Sequence, residues 1–183
     1  MSYWKSLFLG VIIELLIFCY FFITKFDLGN VFRYAARYSG RLSLIVYVYC
    51  FYLFTKAFIK NIELKDTKNA VNIFCVLHLI HFIFLALSVK LNNLPIIPVK
   101  ITGGFLAYLI IIAYPLVIDK IIKPIYHFIY FYYVGIVFAM TYVARIKGDF
   151  VGAEPEFFHF LGLGSLIFTF IFFGFHIFNK NKP

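Results

Sequence analysis

Six stretches of the chain are apolar for roughly the 20 residues needed to cross about 30 Å of hydrocarbon. They run over residues 4–24, 40–59, 69–90, 101–118, 122–145 and 156–178. The pattern predicts an all-α integral membrane protein, with residues 1–183 forming a single transmembrane domain, a six-helix bundle. Asn92, Asn93, Pro95 and Pro98 punctuate the connection between the third and fourth spans. Pro124 falls in the first turn of the fifth span, where its missing N–H costs little. Pro115 lies inside the end of the fourth and is expected to kink or fray it. Lys5 precedes the apolar core of the first span, as in a signal peptide, but that core is too long, contains Glu14 and lacks a small-x-small cleavage site. It reads as a retained helix.

Two connections carry more information than plain turns. Lys25–Tyr38 alternates aromatic and basic residues and predicts a short helix lying in the membrane interface. Lys147–Glu156 holds three of the eight acidic residues and predicts a solvated loop. There is no internal repeat, low-complexity tract or soluble domain.

Composition fixes the class. With 63% hydrophobic residues and a mean hydropathy of +0.93 over 183 residues, a soluble domain could not hide its apolar surface. A net charge of +9 and a pI near 9.4 would suggest nucleic acid on a soluble protein. Here the 17 Lys and Arg residues lie between apolar spans or at their ends, so they read as membrane-flanking charge facing lipid headgroups, and nucleic acid is excluded. A cytoplasmic N-terminus would put nine of the 17 inside and eight outside, so charge gives no orientation. Cys19, Cys50 and Cys75 all fall inside apolar spans with no CxxC pair, which predicts free thiols.

The chemistry concentrates in a few polar residues at membrane depth, where such groups are rare and functional. His78 and His81 are three apart and share a face of the third span. His127 lies in the fifth span, and His159 and His176 near the two ends of the sixth. A lone histidine of this kind is often a hydrogen-bonded packing residue. Several on different helices point to a metal cofactor, imidazole being the commonest ligand of haem iron. At the helical rise, His81 lies about 18 Å into its span, His78 about 14 Å and His127 about 8 Å into its own, so His78 is nearer the level of His127. Met140 follows His127 on the same span; its thioether is either a haem ligand or gap-filling core. Clustered zinc ligands, HExxH, a nucleophile elbow and a phosphate loop are all missing. Gly162 and Gly164 read as small residues for close helix packing. Glu14, midway along the first span, is either a proton-handling group beside a quinone or haem, or a hydrogen-bonding partner for a neighbouring helix. Arg37 and Arg41 either snorkel to headgroups or hold haem propionates in two-bond forks.

Several motifs, in order, resemble a known family. Leu28–Leu44 (LGNVFRYAARYSGRLSL, with Ser39-Gly40-Arg41), Phe74–Phe82 (FCVLHLIHF), Ile101–Asp119 (ITGGFLAYLIIIAYPLVID), Tyr126–Tyr130 (YHFIY) and Tyr142–Asp149 with Pro155 carry the likeness. They are similar to the bacterial haem-binding membrane subunit of the periplasmic methionine-sulfoxide reductase system, in the ferric-reductase-like transmembrane group. The resemblance implies a ferric-reductase-like bundle in the bacterial inner membrane, with both termini cytoplasmic. It implies haem b, with FMN or a quinone as further candidates, and electrons passing from a quinol or a flavin reductase to a periplasmic reductase subunit. It places His81 and His127 on ligand positions and Arg41 and Arg37 at the propionates. The chain departs from the family where a second histidine of the fifth helix becomes Met140, which implies a His/Met pair of higher potential. Leu42 replaces the tryptophan of the Gly-Arg-Trp motif, and His78 is an additional candidate ligand. The rival expectation is a non-redox bundle, such as a small transporter, channel or assembly factor, whose histidines pack or relay protons.

Overall fold

The computed structural model describes residues 3–150 and 154–180, the side chains at 99–101, 178 and 180 apart. Its helices are α1 (Tyr3–Thr24), α2 (Leu28–Lys60), α3 (Lys65–Leu91), α4 (Pro98–Val117), α5 (Pro124–Ile146) and α6 (Phe157–Lys180). All six contain a window long and apolar enough to cross a membrane, and the described residues contain no strand. The protein is a multi-pass integral membrane protein.

The boundaries follow the apolar pattern closely except at α2. The helix expected to lie separately in the interface over Lys25–Tyr38 is instead the first part of α2, which runs unbroken for 33 residues. Two local features explain this. Asp27 caps the helix, its Oδ2 accepting from the Asn30 N–H at 2.9 Å. The alternating cations are housed on the helix itself: Arg37 lies over the Tyr34 ring at 5.2 Å and Arg41 over Tyr38 at 4.5 Å. At 1.5 Å per residue α2 is about 50 Å long, well beyond the hydrocarbon thickness. Pro115 does not interrupt α4, which continues two residues further and then tightens into a 3-10 turn over Ile118–Lys120. Pro124 occupies the opening of α5, preceded by Lys123 in extended conformation. Of the expected loop Lys147–Glu156, residues 151–153 lie outside the described residues.

The helices divide into two compact units. The first comprises α1, α2 to Tyr47, and α3 from Asn69 with the loop to Ile97. Helices in lipid associate by close packing and polar contacts rather than by the hydrophobic effect, and this unit uses both. Phe18 of α1 stacks on Phe84 of α3 at 5.7 Å and meets Phe32 of α2 at 5.4 Å. At one end Asn92 ties three segments together. Its Oδ1 accepts from Arg33 Nη2 at 2.8 Å, and its Nδ2 donates to the carbonyls of Gly29 and Ser88 at 2.9 and 2.7 Å.

The second unit holds the rest of α2, the start of α3, and α4 to α6. Its centre is aromatic. Phe51 of α2 stacks on Phe131 of α5 at 5.0 Å and meets Phe173 of α6 edge-on at 4.9 Å. Tyr114 of α4 stacks on Tyr130 of α5 at 3.6 Å, with the rings 9° from parallel. Pairs like these add about 0.5–1.5 kcal/mol each beyond the area they bury. Gly162 of α6 lies under Tyr142 of α5, where a Cβ would stand only 2.7 Å from the ring carbon Cζ. Lys68 and Asp119 form an exposed ion pair.

Candidate functional site

The polar interior of the first unit is assembled from one face of each helix. The buried positions of α1 are Gly10, Glu14 and Phe21, spaced four and seven residues apart and hence on one stripe. Glu14 is 1% exposed. The hydroxyl of Ser39 on α2, itself fully buried, donates to Glu14 Oε1 at 2.8 Å. The next residue, Gly40, faces α3: a Cβ there would stand 3.1 Å from His81 Cε1 and 3.6–3.7 Å from both ring nitrogens. The imidazole of His81 is thus seated directly on the α2 backbone, in a space any larger residue would fill. His78, one turn earlier on α3 and buried, lies 5.3 Å from His81 between ring centroids and stacks on Phe74 at 5.2 Å. Ser43, a turn beyond Ser39 on α2, is also fully buried. Arg37 and Arg41 stand three residues before and one after Gly40, both half-buried. The structure therefore gathers Glu14, Arg37, Arg41, His78 and His81 in one unit.

His127 and Met140 belong to the second unit. His127 is 3% exposed in the first turn of α5, and its Nδ1 shares a hydrogen bond of 2.6 Å with the Tyr114 hydroxyl. A bond of that kind fixes the tautomer and orientation of a ring, whether the ring packs or ligates. Phe54 of α2 lies 5.5 Å from the same imidazole. Met140 is 63% exposed on the outer surface of α5, about 20 Å along the helix from His127. At that separation His127 and Met140 do not ligate one iron atom together. The remaining histidines have local duties. His159 Nδ1 accepts from the Glu156 N–H at 3.0 Å at the start of α6, and His176 Nδ1 lies 2.8 Å from the Phe172 carbonyl of its own helix. An apolar groove of about 200 Å³ between α4 and α5 is lined by Tyr114, Tyr126, Tyr130 and Tyr133 with aliphatic neighbours.

Among the described residues no three His, Cys, Asp or Glu side chains cluster as a metal site. A haem draws on fewer protein donors than such a cluster, one or two axial ligands and cations for its propionates. The first unit holds residues of both types. His81 offers an imidazole against a glycine, and α2 carries two guanidinium groups within a turn of that glycine. Met140, turned outward, does not fit the role.

Two partners were not foreseen from the sequence: Ser39 for Glu14, and Tyr114 for His127. The first had a usable signal, since a carboxyl at mid-membrane demands a hydroxyl or amide on a neighbouring helix and α2 carries Ser39, Ser43 and Thr55. The second had none, Tyr114 being one of 14 tyrosines. No family model, curated protein or solved structure matches the chain.

Proposed function

We propose that the chain is a haem b electron-transfer subunit of the bacterial inner membrane, with the ferric-reductase-like type of bundle and both termini cytoplasmic. It takes electrons from a quinol or a flavin donor and passes them to a partner reductase of the methionine-sulfoxide type. One observation carries this reading. The Ser39-Gly40-Arg41 stretch and the segment ending in His81 resemble two separate motifs of that family, and they meet where Gly40 receives the His81 ring. Contact between two motifs some forty residues apart is what a shared cofactor site requires.

His81 would supply an axial nitrogen, and Gly40 leaves room for its ring beside α2. Arg41 and Arg37 would pair with the propionates through their forked donors. When bound, the haem supplies one-electron transfer at a potential set by its axial ligands and surroundings. His127, held by Tyr114, is a second buried imidazole of the right chemistry in its own unit.

Purified after haem-replete expression, the protein is expected to show b-type Soret and alpha bands in a reduced-minus-oxidised spectrum. A colourless preparation overturns the proposal. The buried Glu14–Ser39 pair favours a second reading in that event, a non-redox membrane protein that handles protons.

A further inference from the structure

Among the described residues Glu14 is the one buried carboxyl, at 1% exposure. Its Oε1 accepts from Ser39, and its Oε2 has no hydrogen-bond partner among the described residues. α2 carries Arg37 and Arg41, and α3 brings His78 and His81 to the same unit, but none of them hydrogen-bonds or ion-pairs with Glu14. A carboxylate so placed would be a charge in a low-dielectric interior with one hydroxyl to balance it, which is strongly unfavourable. A carboxylic acid in the same place is neutral and needs no counter-charge. If packing were the only requirement, an amide or a hydroxyl would meet it without that liability.

We propose that Glu14 and Ser39 form an intramembrane proton-binding site, in which the Glu14 carboxyl takes up and releases a proton while the Ser39 hydroxyl holds its Oε1. In the protonated state Oε2 carries the proton and Oε1 accepts from Ser39. In the released state Oε1 keeps that bond and the proton has left to water at the membrane surface. The site lies one residue along α2 from the Gly40–His81 contact, so α2 touches the acid and the imidazole at successive positions. The inference does not depend on a haem.

Infrared spectra of the purified protein in lipid vesicles, recorded through a pH series, test it. The wild type should show the carbonyl stretch of a protonated carboxyl at low pH, assigned by ¹³C-glutamate labelling, and should lose it as the pH rises. Glu14→Gln keeps an acceptor for Ser39 and should abolish the band. Ser39→Ala should leave the band but move it to higher frequency, because the Oε1 hydrogen bond is lost. The proposal is overturned if no glutamic-acid band appears at any pH, or if the band persists unchanged to the highest pH the folded protein tolerates. A band that survives Glu14→Gln, or that Ser39→Ala leaves unshifted, also overturns it.

Discussion

At the scale of single residues, the contact between Gly40 and His81 constrains the candidate site closely. A methyl group at residue 40 would sit 3.1 Å from His81 Cε1, so Gly40→Ala requires the ring to give by a few tenths of an ångström. Gly40→Val requires much more and should destabilise the protein by about 1–3 kcal/mol, the usual cost of overpacking. In a His81→Ala background the penalty should shrink, because the obstructing ring is gone; chemical denaturation of the four variants measures the coupling. Equal penalties in both backgrounds would mean that the ring is not against Gly40. Tyr114→Phe removes the hydroxyl that bonds His127 Nδ1 and should cost about 1 kcal/mol, read as a lower midpoint in the same assay. Neither partner could be singled out beforehand. A glycine's neighbour depends on which face of its helix turns inward, and α2 has apolar residues all round.

At the scale of helices, hydropathy located the spans but not where helix and interface separate. The chain over Lys25–Tyr38 looked like a surface segment because its arginines and aromatics alternate. Those rings cover the cations on the helix itself, and α2 absorbs the segment. The packing of α5 on α6 was half legible. Gly162 was expected as a close-packing position, and it is one, with Tyr142 pressed over it; Gly164 meets nothing. Gly162→Ala places a Cβ 2.7 Å from Tyr142 Cζ and should lower the thermal midpoint measured in detergent. Replacing Tyr142 with leucine should restore much of the loss. If Gly162→Ala is neutral, the two helices do not meet through this pair.

At the scale of the whole molecule, six crossings would return the chain to the side of the membrane on which it starts, as the proposed function has it. The proposed orientation makes that side cytoplasmic, which the near-even division of lysines and arginines could not decide. A fluorescent protein fused at the C-terminus should fluoresce, and alkaline phosphatase fused there should be inactive; the reverse result would invert the orientation. Membrane character was legible in composition because no polar alternative could satisfy so apolar a chain. The ligand set was not, because a histidine that ligates and one that packs present the same letter. Met140 turns outward, His159 caps its helix and His176 bonds its own backbone. His78, His81 and His127 remain as imidazoles turned inward, and the proposed haem reading rests on His81 against Gly40. The most direct measurement is therefore the pyridine-haemochrome haem-to-protein ratio of folded wild type, His81→Ala and His176→Ala. Haem should be present in the wild type and in His176→Ala and lost from His81→Ala. Undiminished haem in His81→Ala, or none in the wild type, would rule out His81 as the haem ligand or the haem itself.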